Sequence, residues 1–258
     1  MKMEDNMIDS HCHLNDDMFA GEEGKIINNY LQAGVDKVIC IGCNTKTNQQ
    51  AKELANANES VYYTVGYHPD DIAEFNIKEL ETFFIEKDKK LVALGEIGLD
   101  YFHNKENKAE QIEMFEKQIE LAKKYNMPIV VHCREAYQDT LQTLTKHAPF
   151  ENGVVMHCYS GSWEFAKQLL KLGIKFSFTG TVTYKNAKNV QEVAKNLPAD
   201  SFFFETDSPY LSPTGFRGQR NEPKNVIEVA RFVAELRGED FNTIVKQTDE
   251  NVKNFFNI

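Results

Sequence analysis

The chain predicts an α/β fold, a single-domain (β/α)8 barrel of the TIM type, and three observations carry that expectation. Eight short apolar runs bounded by turn residues recur along the chain, helical patterns separate them, and 258 residues at 41% apolar content suffice for one full-sized core. Strands alternating with helices imply a parallel sheet, and eight such units imply closure into a barrel. The rival is an open doubly wound sheet, but no Gly-rich phosphate loop follows the first run.

Residues 1–6 read as a flexible N-terminal extension, and the barrel domain is expected over 7–258. The first strand is residues 7–13, Met-Ile-Asp-Ser-His-Cys-His, followed by runs at 37–42 and 61–68. The fourth run, 91–97, precedes a helix in which Asn107 is the expected cap, with Ile112, Phe115, Ile119 and Ala122 on one face as far as Asn126. Runs at 128–133 and 153–158 come next, then a helix over 163–172 with Phe165, Leu169 and Leu172 spaced by four and three. Runs at 175–180 and 201–207 complete the eight. Pro223 opens a further helix, with Val226, Ala230 and Val233 inward and Gly238 just past its end. The Pro/Gly-punctuated stretch 212–223 is the long loop after the last strand, and such a loop in a barrel sits over the active site.

A formal charge of −10 gives no global basic field to draw in nucleic acid, although bound cations can offset catalytic carboxylates and a few arginines can hold one phosphate. Five cysteines, an odd count in a long chain, suit free thiols in a reducing compartment. Cys40 and Cys43 have the spacing of half a zinc ribbon or a redox pair, but residues three apart on a strand point to opposite faces, so two small buried hydrophobes is the reading. There is no signal-like stretch at the N-terminus and no run near the roughly 18 apolar residues that cross a bilayer. A cytoplasmic protein without a membrane partner, monomeric or weakly oligomeric, is the expectation.

Six candidate metal ligands lie near the ends of five separate apolar runs: His11, His13, Glu96, His132, His157 and Asp207. His11 and His13, two apart on a strand, leave the same face and can converge on one ion; the alternative is a polar pair at a strand end. Asp9 lies on that face and is expected to orient an imidazole through its ring N–H. Glu96 ends an apolar strand, where a carboxylate is costly to bury unless paired or bound to a cation; a salt-bridged core glutamate is the alternative. A lone histidine in the setting of His132 or His157 is more often a hydrogen-bonded core residue, but two on consecutive strands after Glu96 favour ligation. Asp207 reads as ligand and proton handler. Glu205, two residues before it, reads as support behind the ligands or as half of an internal ion pair.

This set can hold two divalent ions, one by His11, His13, Glu96 and Asp207, the other by Glu96, His132 and His157, with Glu96 bridging. Such ions lower the pKa of water from 15.7 towards neutrality, which supplies a hydroxide nucleophile, and they stabilise charge on phosphoryl oxygens. Imidazole-rich ligation favours Zn²⁺, Mn²⁺ or iron, while carboxylate bridging keeps Mg²⁺ open.

With these residues in view the chain strongly resembles the TatD family of metal-dependent deoxyribonucleases, a branch of the amidohydrolase-like TIM barrels. The matching segments are collinear: Ile8-Asp-Ser-His-Cys-His-Leu14, Val65-Gly-Tyr-His-Pro69, Gly95-Glu-Ile-Gly-Leu-Asp-Tyr101, Val131-His-Cys-Arg134, His157-Cys-Tyr-Ser-Gly161, Glu205-Thr-Asp-Ser-Pro-Tyr-Leu211 and Arg217-Gly-Gln-Arg-Asn-Glu-Pro223. The resemblance implies metal-dependent hydrolysis of nucleic-acid phosphodiesters, with Asp207 as base or water orienter and Glu96 beside it as the catalytic carboxylates. Gln219 departs from the pattern, since many relatives carry Lys there.

On the substrate side, Arg134 is placed to fork onto a phosphate, or else forms a rim salt bridge. Arg217 and Arg220 in the long loop can contact a backbone phosphate or remain solvated. His68 is expected at a scissile or terminal phosphate, or in the core. Tyr101 and Phe102 offer a ring to stack on an unpaired base, or pack at the rim. His103 and His147 receive no role. The leading expectation is 3′–5′ exonuclease action on single-stranded or frayed DNA, with RNA as a further substrate. The alternatives are an amide, lactone or aminoacyl-ester hydrolase, which needs no phosphate-binding arginines, and a non-catalytic binding protein, which predicts a broken ligand set.

Overall fold

The computed structural model describes residues 7–258; the extension expected over 1–6 lies outside the described residues. Eight strands follow one another in chain order around one sheet: β1 (Met7–Cys12), β2 (Val35–Cys40), β3 (Val61–Val65), β4 (Leu91–Asp100), β5 (Ile129–Arg134), β6 (Val154–Met156), β7 (Lys175–Phe178) and β8 (Phe202–Phe204). All the neighbouring pairs, from β1–β2 to β7–β8, are parallel. Helices α1 (Glu23–Ala33), α2 (Thr45–Ala57), α3 (Ile77–Ile85), α4 (Lys108–Lys124), α5 (Tyr137–His147), α6 (Trp163–Leu170), α7 (Lys188–Asn196) and α8 (Val226–Arg237) follow the strands in turn, and α9 (Phe241–Phe256) ends the chain. This is the eight-fold barrel that the alternation implies.

Two apolar clusters result. Outward residues such as Met7, Val38, Val131, Met156 and Phe204 pack with the buried faces of the helices. Ile8, Ile39, Val130, Val155 and Phe203 form the second cluster, to which α9 adds Val252 and Phe256. One strand thus feeds both clusters by its two-residue alternation.

Six of the strands end earlier than the apolar runs suggest, while β4 and β5 run on to Asp100 and Arg134. His13, His68, His157 and Asp207 all lie beyond the ladders, because the chain leaves the sheet there to close over the mouth. The His68 amide, for example, donates to the Cys43 carbonyl at 2.8 Å. Asn107 precedes α4 but makes no side-chain cap, since a 3-10 turn over Lys105–Asn107 runs straight into the helix. The buried face of α4 also carries Gln111 and Gln118 beside the expected apolar residues. Gln111 accepts from the Asp100 amide at 2.8 Å and donates to its carbonyl at 3.0 Å, so the helix locks the end of β4.

The seam between β8 and β1 is made by residues beyond β8. The Asp207 amide donates to the His11 carbonyl at 2.9 Å, and the His13 amide to the Ser208 carbonyl at 2.7 Å. Asp9 fastens this seam: its carboxylate accepts from the Thr206 amide at 2.9 Å, the Thr206 hydroxyl at 2.5 Å and the His11 amide at 3.3 Å. The expectation that Asp9 orients an imidazole ring is therefore corrected. The β1–β2 register shifts between Asp9 and Cys12, so the two-residue step to His11 no longer keeps one face, and Asp9 binds backbone instead.

One close approach holds the site together. Gly98 has φ +144°, and a Cβ there would lie 2.0 Å from the His132 carbonyl oxygen, so β4 and β5 meet only because the side chain is absent. Gly98→Ala is expected to cost about 2–3 kcal/mol through overpacking and backbone strain. Urea unfolding beside the parent chain checks this, and an unchanged midpoint would contradict it.

Candidate metal centre

Glu96 is the hub. It stands at a register shift in β4, between Leu94 and Ile97, which turns its side chain into the mouth among four imidazoles. Oε2 lies 3.4 Å from His11 Nε2 and 3.8 Å from His13 Nε2. Oε1 lies 2.7 Å from His157 Nε2 and 2.9 Å from His132 Nδ1. Asp207 completes the Oε2 side, with Oδ1 3.2 Å from His13 Nε2 and 3.5 Å from His11 Nε2. All six expected ligands therefore gather, and the two oxygens of Glu96 face different histidines.

The chemistry and burial of the donor set fit divalent ions. Both ring nitrogens of His11 are buried without a hydrogen-bond partner, an expensive state for a neutral imidazole unless a lone pair meets a cation. Donor atoms sharing an ion at about 2.0–2.2 Å sit roughly 2.8–3.6 Å apart in octahedral or tetrahedral geometry, close to the 2.7, 2.9, 3.4 and 3.8 Å found around Glu96. Around Glu96 and Asp207 the three-residue groups able to hold an ion are His11, Glu96 and His157, then His11, His13 and Asp207, then His68, Glu96 and His132; a fourth, Asp70, Asp100 and His103, lies beside them.

Neighbouring carboxylates orient the rings. His132 Nε2 lies 3.0 Å from Asp100 Oδ2, which leaves Nδ1 to face Glu96. His157 Nδ1 is 3.3 Å from Glu205 Oε1, which leaves Nε2 for the centre. Glu205 is itself held by the Cys158 amide at 2.8 Å and the Ser177 hydroxyl at 2.5 Å. Asp100 received no role from the sequence, although it ends the same strand as Glu96, three residues past the expected run. The reasoning applied to Glu205 and Asp207, a carboxylate closing an apolar strand, would have found it.

His68 enters the same cluster, with Nε2 3.7 Å from Glu96 Oε1. Its Nδ1 accepts from the Asp70 amide at 3.1 Å, which in the neutral ring leaves the proton on Nε2, facing the centre as a donor. Burial and the nearby His132 push its pKa down to about 3, so it stays neutral. Cys43 is a second surprise. Cys40 is a small buried core residue as expected, but Cys43 lies past the end of β2 with Sγ 3.7 Å from Glu96 Oε2.

The remaining substrate-side residues divide. Arg134 is exposed, has no ion pair among the described residues, and lies 4.0 Å over the Phe102 ring. Arg217 is likewise exposed and unpaired, stacked 4.5 Å over Tyr184. Arg220 is occupied: its guanidinium donates to the Met18 carbonyl and to both Glu22 oxygens, at 2.6, 3.1 and 3.2 Å. It ties the long loop to the segment before α1 and is not free for phosphate. Tyr101 as a stacking ring is also corrected. It is 5% exposed, its hydroxyl donates to Asp139 at 2.7 Å, and the open ring belongs to Phe102. Gln219 is exposed on the loop.

Charge at the centre is mutually compensated. Burial alone would raise the pKa of Glu96, but the imidazoles of His157, His11 and His132 around it bring it well below the usual carboxylate range. Burial opposes protonation of His157, and Glu96 with Glu205 overcomes it, raising the pKa well above the ordinary value. His13 and His132 are raised in the same way, against burial, by Asp207 and by Asp100 with Glu96 respectively. Burial lowers His11.

A family model described as TatD related DNase matches residues 8–257. The uncharacterized metal-dependent hydrolase YabD of Bacillus subtilis is 37% identical over 98% of this chain and 99% of its own length. The 3′-5′ ssDNA/RNA exonuclease TatD of Shigella flexneri is 31% identical over 98% and 99%. The crystal structure of YjjV, a TatD homologue from Escherichia coli, superposes with a TM-score of 0.93 at 31% identity, covering 98% of each chain.

Two outcomes follow. Imidazoles with raised pKa must lose protons before they ligate, so ion binding should release protons and affinity should rise with pH through neutrality; calorimetry in buffers of different ionisation enthalpy reads both. Asp100→Asn keeps an acceptor but removes the charge behind His132, and metal affinity should fall about 10- to 100-fold in a chelator competition. Unchanged affinity would remove Asp100 from the centre.

Proposed function

The chain belongs to the TatD family of metal-dependent hydrolases, and we propose that it is a nuclease that removes nucleotides from the 3′ end of single-stranded or frayed DNA, with RNA as a second substrate. The observation that carries this reading is the pair of Glu96 oxygens facing two different sets of imidazoles, an arrangement suited to two divalent ions bridged by one carboxylate. Mg²⁺, Mn²⁺ or Zn²⁺ bound there would supply a hydroxide nucleophile near neutral pH and offset charge on the phosphoryl oxygens.

The chain's own residues do the rest. His11, His13 and Asp207 hold one side, His132 and His157 the other. Burial tends to protonate Asp207, but His13 outweighs it and keeps the carboxylate ionised, so it can take a proton from the attacking water. Its backbone has φ +54°, a strained position that the β1 seam holds in place. His68 offers Nε2–H to a phosphoryl oxygen. Arg134 and Arg217, free of ion pairs, can fork onto the backbone phosphates, a feature that an amide or lactone hydrolase has no use for. Five unpaired thiols suit the reducing cytoplasm as the place of action.

A 5′-labelled single strand should be shortened stepwise when Mn²⁺ or Mg²⁺ is added, and EDTA should stop it. His132→Ala or Asp207→Asn should lower kcat by about 10³-fold or more, the scale of removing a group that acts only in the transition state. Metal-loaded enzyme that leaves DNA and RNA intact while cleaving small esters or amides would overturn the reading.

A further inference from the structure

We infer that Phe102 and Tyr210 form a two-sided clamp for unpaired nucleobases, one on each side of the phosphodiester at the centre. Five large apolar side chains are notably exposed among the described residues: Met18, Leu31, Ile85, Phe102 and Tyr210. The two aromatic ones, 49% and 47% exposed, both lie at the mouth. Phe102 follows β4 and Tyr210 follows β8, strands four places apart in the ring, so the two stand on opposite sides of the opening.

Each platform is tied to a different half of the centre. The Phe102 amide donates to Asp100 Oδ1 at 2.8 Å, and Asp100 Oδ2 holds His132. The Tyr210 amide donates to the Asp207 carbonyl at 2.9 Å, and its ring centroid is 6.1 Å from that of His13. The Tyr210 hydroxyl bonds Asp16 at 2.5 Å, which fixes the ring beside the mouth. Arg134 lies against Phe102, so that platform joins a flat ring to a cation able to meet the adjoining phosphate. Rings left open in this way contribute little to folding. An unpaired base offers them a π-face that a base pair in a duplex keeps stacked, and the preference for single strands follows. The clamp rests on the nuclease reading and adds that a base is gripped on both sides of the scissile bond.

The test uses the full chain loaded with Mn²⁺ and a single-stranded oligonucleotide. Phe102→Ala and Tyr210→Ala should each raise KM about 10-fold, the scale of one lost base stack, with kcat within about twofold. Phe102→Tyr and Tyr210→Trp, which keep a ring, should restore KM. An abasic sugar beside the scissile bond should raise KM for the parent enzyme, and should add nothing further in the alanine variant that lost the matching ring. KM unchanged in both alanine variants, or a full abasic penalty persisting in them, overturns the clamp. If either alanine variant fails to fold, as thermal unfolding will show, the abasic substrate on the parent enzyme decides. Parent enzyme that cuts no oligonucleotide overturns the nuclease reading itself, whereas cutting with unaffected KM overturns only the clamp.

Discussion

A carboxylate buried in the mouth of an apolar barrel is the constraint from which the rest follows. Burying an ion of that size costs several kcal/mol after relaxation, and Glu96 bears that cost because imidazoles surround both of its oxygens. Those imidazoles are in turn desolvated, so a further layer of carboxylates, Asp100, Glu205 and Asp207, balances them. Each layer answers the electrostatic demand of the one inside it. Such a nest holds cations better than it holds a packed core, which is why it reads as a centre for catalysis and not as a structural network.

The backbone devices around it serve the same end. Asp9 joins β1 to Thr206, and that seam sets His11, His13 and Asp207 at the distances observed. Gln111 reaches from α4 to fix Asp100, and Gly98 lets β5 approach closely enough for His132 to meet Glu96. None of these three touches the reacting atoms. They give a set of flexible side chains the half-ångström placement that a metal centre requires.

An acidic chain proposed to act on a polyanion is less paradoxical in this light. The formal charge of −10 includes the carboxylates of the centre, whose charge bound ions would reverse locally. Arg134 and Arg217 stand free at the rim, while Lys117, Lys124, Lys146 and Arg231, for example, are paired with carboxylates on the outer surface. On the proposed nuclease reading, binding would depend on a few placed groups and on stacking, not on a broad field, and that would favour an end or a single strand over the length of a duplex.

The fold and the candidate ligand set were legible in the amino-acid sequence because both are written in short-range pattern. Eight apolar runs specify the strands, and six ligands near their ends can converge only if the strands are parallel and the ring is closed. The substrate side was legible only in part. Tyr101 and Phe102 are adjacent, and nothing local says which ring turns to solvent; the packing of Tyr101 against Asp139 decides it. Arg217 and Arg220 share one loop, and only the position of Glu22 shows which guanidinium is already taken. Asp9 lost its expected role to a register shift, and Cys43 gained a place beside Glu96 because β2 ends before it. Periodicity determined what each residue could face along its own strand. Which partner it met across the barrel was left to tertiary structure, since such pairings depend on register and loop path, and neither is encoded locally.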